Sequence, residues 1–230
     1  MSDDGGVGVF GTFFGLSFSA LLPLINPLGS ALVFLGLVGT APASFYRTLA
    51  RRIAINTTLF LVVIQALGTT LLKFFGISLP VMQVSGGLVL AALGWSTLNQ
   101  KETDPKEETH KRTTLGDADA ASLESKVFYP LTFPITAGPG SIVVMLTLSA
   151  HASAKRVFFD IAAHSGIALA VVVLSVTVYI CYGYAPRITA RVRPQTVHGI
   201  LRVIAFVLMC IGVQIAWNGV EVLLKTVQKP

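Results

Sequence analysis

The sequence predicts an all-α membrane protein in which six transmembrane helices form two inverted three-helix repeats. Three observations support this fold class: an apolar composition, six separate apolar segments, and two segments interrupted by proline and glycine. Hydrophobic residues make up 53% of the 230 residues and charged residues 12%, whereas soluble domains are about 25% charged. So few polar residues could not cover a soluble core of this size. We therefore expect an integral membrane protein.

The chain carries a formal net charge of +6, which could indicate a nucleic-acid partner. The lysines and arginines, however, lie in the connections between apolar segments, and no basic face carries interleaved aromatic residues. This distribution is typical of the loops of an inner-membrane protein. We expect membrane lipid as a partner and no nucleic acid.

Six segments reach the length of about 20 apolar residues that a helix needs to cross a bilayer. They are Val7–Val38, Ile53–Phe75, Ile77–Leu98, Val127–Ala150, Phe159–Tyr182 and Ile200–Leu223. The stretch 99–126 is polar and mixed in charge, which is typical of a linker. We therefore predict a first three-helix repeat over 1–98, a charged cytoplasmic linker over 99–126, and a second, inverted repeat over 127–230.

The orientation follows from the basic residues, which collect on one side of the predicted membrane. That side receives the linker lysines and Arg47, Arg51, Arg52, Arg112, Arg187, Arg191, Arg193 and Arg202. The opposite side receives only Lys73, Lys155, Arg156, Lys225 and Lys229. The positive-inside rule places the first set in the cytoplasm. We expect a multi-pass protein of the bacterial inner membrane with both termini outside.

The two halves correspond at their interruptions. Sliding the second half onto the first aligns Pro23 with Pro134, Gly29 with Gly140, and Ser30 with Ser141. Leu93–Asn99 in the third segment also matches Ile211–Asn218 in the sixth. Because three is an odd number of spans, the second half must enter from the opposite face. The halves are then related by a two-fold axis in the membrane plane, as in many secondary transporters.

The interruptions predict the binding site, because an unsatisfied backbone group in hydrocarbon costs several kcal/mol and survives only where protein or a cavity shelters it. Broken helices expose amides whose positive dipole end attracts anionic groups. Kinks used only for packing are the alternative. The predicted substrate-binding residues are Asn26, Pro27, Gly29, Ser30, Thr136, Gly138, Pro139, Gly140 and Ser141. Polar residues of the other spans either line the cavity or bond neighbouring helices: Gln65, Gln83, Ser85, His164 and Gln214.

The substrate class follows from the charges. No acidic or basic residue lies near the middle of a span, which argues against a metal site and a bound cofactor. A neutral cavity facing two half-helix amino ends suits a zwitterionic amino acid, with its carboxylate at the amides and its ammonium at freed carbonyls. Water, an ion or another small polar metabolite fits the same features. Coupling to H⁺ or Na⁺ stays open, and His164 is the candidate for proton coupling.

With these motifs, the sequence resembles the MarC family of inner-membrane proteins, which includes small neutral amino-acid transporters of the SnatA type. The motifs that carry the resemblance are Asn26-Pro27-Leu28-Gly29, Pro134 with Gly138-Pro139-Gly140-Ser141, Ser85–Gly87, Gly212–Gln214 and Asn218-Gly219. The resemblance covers nearly the whole chain. It implies six helices in inverted repeats and transport, directed outward, of small neutral amino acids such as alanine or glycine.

Three other functions compete with this interpretation. A water channel of the aquaporin type needs Asn-Pro-Ala twice, and the second interruption has no asparagine. An intramembrane enzyme using Ser141 lacks the Gly-x-Ser-x-Gly elbow, so we expect no enzyme. A translocator of a lipid-linked or other anionic metabolite stays open, since half-helix ends hold phosphate as readily as carboxylate. Homo-oligomerisation also stays open.

Overall fold

The computed structural model describes residues 4–39, 41–99, 127–152, 157–191 and 194–227, and within these ranges the chain is helical, without strands. The helices are α1 (Asp4–Ile25), α2 (Pro27–Val38), α3 (Ala43–Phe74), α4 (Leu79–Leu98), α5 (Pro139–Ala152), α6 (Val157–Gly183), α7 (Ala185–Arg191) and α8 (Pro194–Val227). An irregular helical stretch, Val127–Thr136, precedes α5 and is called the bent segment below.

Five stretches are long and apolar enough to cross a membrane: Gly6–Val38, Ala43–Gly68, Leu79–Leu98, Val157–Gly183 and Arg202–Thr226. The bent segment and α5 meet at 68° and form a sixth candidate span if they cross together. Each of the six predicted segments therefore has a helical counterpart. The all-helical membrane fold is confirmed, with five or six spans.

Helix α3 begins at Ala43, ten residues before the predicted start of its span at Ile53. The reason is that its first turns are amphipathic. Tyr46, Leu49 and Ala50 are buried at helical spacing, while the neighbouring arginines stay exposed. Hydropathy marks only the apolar part of such a helix. The short α7 was also not predicted, and the predicted linker, apart from Asn99, lies outside the described residues.

Each interrupted segment packs against a helix from the other half of the chain. Helices α1 and α2 pack against α6, while the bent segment and α5 pack against α3. At Gly166 of α6, a Cβ atom would lie only 2.5 Å from the carbonyl oxygen of Phe10, so α1 approaches the α6 backbone directly. Fully buried side chains fill the space between these helices, including Leu21, Ile25, Leu61, Ile167 and Leu174. The fold thereby brings both interruptions into one core.

Helices α4 and α8 form a second packing unit along a glycine seam, defined as Gly87 and Gly94 of α4 with Gly212 and Gly219 of α8. A Cβ at Gly87 would lie 2.5 Å from the carbonyl oxygen of Gly212, and a Cβ at Gly212 would lie 2.7 Å from that of Gly87. Gly94 faces Ala205, which lies earlier in α8, so the two helices run antiparallel. Small residues allow this backbone-to-backbone approach in membrane helices.

Candidate functional site

The first interruption lies at Asn26, between α1 and α2. Asn26 has φ 43° and ψ 64°, a left-handed conformation that asparagine tolerates better than most residues. Its side-chain oxygen accepts a hydrogen bond from the Gly29 amide at 3.1 Å, and Pro27 occupies the first helical position, where no donor is needed. Pro23, by contrast, lies inside α1. The sequence Asn-Pro-Leu-Gly thus ends one helix and caps the next.

The second interruption is wider and includes the bent segment. Tyr129 and Phe133 have extended backbone angles, so the segment is not a regular helix. Side-chain hydroxyls bond to carbonyls five residues earlier, Thr132 to Val127 at 2.8 Å and Thr136 to Leu131 at 2.7 Å. These hydroxyls satisfy backbone groups that the irregular winding frees.

Amides at the starts of α2 and α5, where the sequence predicts anion binding, already have hydrogen-bond partners in this conformation. The Gly29 amide is bonded to Asn26, and the Ser30 amide donates to the Asn26 carbonyl at 2.9 Å. In α5, the amides of Ser141 and Ile142 donate to the Gly138 carbonyl at 3.0 and 3.4 Å. A carboxylate at either helix end would therefore have to exchange with these local bonds.

The two interruptions meet inside the protein. The Ser30 hydroxyl donates to the Ile25 carbonyl at 2.8 Å and lies 3.4 Å from the carbonyl oxygen of Ile135 in the other half. The Thr136 hydroxyl, on the next residue of the chain, lies 2.8 Å from that of Tyr182. We call Ser30, Thr136 and Tyr182 the hydroxyl cluster. All three residues are buried.

Tyr182 was not predicted as a site residue. It lies near the end of an apolar span, where a tyrosine is typical of the membrane interface. Its position in the sequence does not show that the Tyr182 side chain points into the protein. In the structure Tyr182 is fully buried and stacks on Phe34, with ring centroids 4.7 Å apart.

The surroundings of α5 are closely packed. A Cβ at Gly140 would contact the side-chain ends of Leu90 and Leu24, the latter at 3.0 Å. The Ser141 hydroxyl is buried and has no hydrogen-bond partner. Gly138 is half-buried, while Pro139 is exposed on the surface. The predicted residues around the breaks therefore share one region, with Pro139 on its outer side.

Gln65 and His164 form a separate polar cluster with Ser149, linking α3, α5 and α6. The Gln65 side-chain amide donates to the His164 carbonyl at 2.8 Å, and the Ser149 hydroxyl donates to the Gln65 carbonyl at 2.8 Å. The imidazole Nδ1 lies 2.9 Å from the Asp160 carbonyl, which can only accept, so Nδ1 carries the hydrogen. The remaining ring nitrogen lies 3.5 Å from the Ser149 hydroxyl.

The other predicted lining residues lie elsewhere. Gln83 is buried on α4. Ser85 is exposed and bonds to the Val81 carbonyl of its own helix at 3.0 Å. Gln214 is exposed on α8, where its amide donates to the Asn218 side chain at 2.8 Å. In this conformation Ser85 and Gln214 face outward, because the faces of α4 and α8 that contact each other are formed by the glycine seam.

Comparison with known proteins agrees with this architecture. The pattern of the MarC family of integral membrane proteins matches residues 11–224. The chain is 29% identical over 214 residues to the inner membrane protein MarC of Escherichia coli and to that of Shigella flexneri, covering 92% of this chain and 96% of each relative. No solved structure matches it. The apolar helices and these relatives identify a multi-pass inner-membrane protein, and the chain belongs to the MarC family.

Proposed function

We propose that this chain is a secondary transporter that exports small neutral amino acids such as alanine or glycine. The observation that carries the proposal is the meeting of the two interrupted helices, where the Ser30 hydroxyl reaches the Ile135 carbonyl of the opposite half. Irregular backbone at membrane depth is a feature of transporter binding sites.

The groups at the breaks suit both ends of a zwitterion. A substrate carboxylate can accept a hydrogen bond from the Ser141 hydroxyl, which has no partner, and it can displace the Asn26 side chain from the Gly29 amide. The Ser30 and Thr136 hydroxyls can donate to it once they release the Ile25 and Leu131 carbonyls. The Ile135 carbonyl offers an acceptor for the ammonium group. A substrate that is neutral overall needs no buried charge, which fits the uncharged lining.

The packing supports an alternating-access carrier built from inverted repeats. Each interrupted segment packs on the second span of the other half, and Gly87 and Gly212 contact each other reciprocally. The side chains of Leu24 and Leu90 fill the space beside Gly140, and the Phe34–Tyr182 stack covers the hydroxyl cluster. We infer that this conformation is closed around the breaks, and that substrate entry moves these side chains.

Hydrolysis is disfavoured by the geometry of the second polar cluster. Ser149, His164 and Asp160 are the residue types of a hydrolytic triad, but the Ser149 hydroxyl donates to the Gln65 carbonyl, and the imidazole Nε2 lies 3.5 Å away. The Asp160 carboxylate lies 3.7 Å from the imidazole. This arrangement instead suits a polar path for proton coupling.

The test is counterflow of radiolabelled alanine, glycine and serine into proteoliposomes preloaded with unlabelled substrate, with and without sodium or a pH gradient. Wild-type protein should show saturable uptake. The Ser141→Ala variant should show weaker apparent affinity, and the Ser19→Ala variant, at an exposed position of α1, should match wild type. Vesicle swelling without saturable uptake would indicate a channel, and competition only by phosphate-bearing lipid would indicate a lipid translocator. Either result would overturn the proposal.

A further inference from the structure

A cavity of about 400 Å³, whose lining includes no residue of the hydroxyl cluster, lies at the end of the molecule that carries the arginines. The end of α2, the start of α3, the end of α6 and α7 form its walls. Its lining residues are Leu35, Gly39, Ala41, Ala43, Tyr46, Arg47, Gly183, Tyr184, Pro186 and Arg187. The volume is in the range of small-molecule binding sites. We call this space the arginine cleft.

Two guanidinium groups share one aromatic ring in the arginine cleft. The Arg47 guanidinium carbon lies 5.2 Å from the centre of the Tyr184 ring, and that of Arg187 lies 5.7 Å from the same centre. Such cation–π contacts contribute about 0.5–1 kcal/mol each at exposed sites. They hold two flexible side chains from different helices against the same ring.

The local backbone explains this arrangement. The Tyr184 carbonyl accepts hydrogen bonds from the amides of Arg187 and Ile188 at 2.9 and 3.0 Å, so Arg187 lies one helical turn after the ring. At Gly183, a Cβ would lie 3.6 Å from the Arg47 side chain, so the end of α6 passes closely beside α3. On the opposite wall the Tyr46 hydroxyl donates to the Gly39 carbonyl. These hydrogen bonds and packing contacts therefore hold the walls of the cleft in place.

The charges in the arginine cleft are unbalanced. Its lining contains no acidic residue, and within the described part of the chain neither Arg47 nor Arg187 forms an ion pair. The two guanidinium groups therefore leave positive charge in the cleft that a bound anion would offset. The planar guanidinium group matches the oxygens of phosphate and can bond them in pairs.

We propose that the arginine cleft binds a phosphate group through Arg47 and Arg187. The phosphate belongs either to the headgroup of an anionic phospholipid or to a soluble phosphorylated metabolite. Both have the charge and geometry that the two guanidinium groups recognise, and the cleft has room for more than the phosphate itself. This site is independent of the proposed amino-acid transport.

The test measures binding to the purified full-length protein in neutral detergent. Phosphatidylglycerol and phosphatidylcholine are compared by native mass spectrometry, and glycerol 3-phosphate and inorganic phosphate by calorimetric titration. We expect binding of phosphatidylglycerol over phosphatidylcholine, of the soluble phosphates, or of both, and the pattern identifies the source. The Arg47→Gln/Arg187→Gln variant should lose at least about tenfold in affinity, which corresponds to one charge-assisted hydrogen bond.

The matched control is Arg51→Gln, which removes an exposed arginine one turn further along α3 that does not line the cleft. It should bind like wild type. The Arg47→Lys/Arg187→Lys variant keeps the charge but not the planar fork, and should bind with intermediate affinity, which separates recognition from loss of folding. Equal binding by the double glutamine variant and the Arg51→Gln control, or no phosphate binding by wild type, would overturn the proposal.

Discussion

The Tyr182 hydroxyl lies 2.8 Å from the Thr136 hydroxyl, so a side chain of α6 bonds to the residue at the end of the bent segment. Thr136 directly follows Ile135, whose carbonyl oxygen lies 3.4 Å from the Ser30 hydroxyl of α2. Three elements, α2, the bent segment and α6, therefore meet at the hydroxyl cluster.

Replacing Tyr182 with phenylalanine tests whether this hydroxyl contributes to transport. We expect Tyr182→Phe to lower counterflow about tenfold, equivalent to one hydrogen bond of about 1.4 kcal/mol, while the ring still stacks on Phe34. Tyr179→Phe, on the same helix and only half-buried, is the control and should retain wild-type rates. Equal rates in the two variants would remove the hydroxyl cluster from the transport mechanism.

Gly140 tests the packing at the start of α5. We expect Gly140→Ala to lower the free energy of unfolding by about 1–3 kcal/mol, because its methyl group would overlap the ends of Leu90 and Leu24. Leu90 is fully buried, so Leu90→Ala alone also destabilises the protein, but the relieved overlap should make the double variant lose less than the sum of the two single losses, as measured by thermal unfolding in detergent. Additive losses would contradict this packing.

The glycine seam predicts a larger effect at Gly87, because the clash there is with backbone atoms that cannot rotate away. Gly87→Ala should destabilise the protein by about 2 kcal/mol or more, and Leu90→Ala should not rescue it. Gly36→Ala is the control, since it meets nothing within 4 Å and should gain about 0.5–1 kcal/mol of helix stability. Thermal unfolding of Gly87→Ala, Gly87→Ala/Leu90→Ala and Gly36→Ala compares their stabilities.

His164 is the candidate for coupling transport to protons. We expect a pH gradient to stimulate flux in wild type and His164→Gln to abolish this stimulation, since the imidazole connects Asp160 with the Ser149 and Gln65 cluster. Exchange without a gradient should continue. His151→Gln, at an exposed position of α5, should behave like wild type. Stimulation that persists without His164, or that is absent in wild type, would exclude this role.

The orientation can be tested with Ser44 in the first turn of α3 and Ser78 in the connection between α3 and α4. In a Cys181→Ala/Cys210→Ala background, Ser44→Cys should react with a membrane-impermeant maleimide only from the cytoplasm, and Ser78→Cys only from outside. The expectation rests on the arginines near Ser44. The reverse labelling pattern would place both termini in the cytoplasm.

Sequence reasoning located the helices and both interruptions, because proline, asparagine and glycine act locally on the backbone. Asn26 could be predicted as a helix boundary for this reason. The inward or outward direction of a side chain depends on which helices become neighbours, and that information is not local. Tyr182 was therefore missed. Gln214 was predicted either to line the cavity or to bond a neighbouring helix, and in this conformation it lies on the exposed face of α8.

The hydrogen-bond partners of the backbone amides at the helix starts could not be predicted either. The sequence indicates free donors at a helix start, but it does not show that the Asn26 side chain folds back onto the Gly29 amide. Competition between such a local bond and a ligand depends on the conformation of the whole site. The difference between exposed and satisfied amides therefore becomes visible only in three dimensions.

The contact between Gly87 and Gly212 has a mechanical consequence for the membrane protein. Main-chain atoms in direct contact cannot slide past each other without first separating, so α4 and α8 should travel as one rigid body. Their outer sides carry apolar side chains such as Leu88 and Trp217, which suits a stationary frame in the lipid. The moving parts would then be the interrupted helices together with α3 and α6, which pack against them.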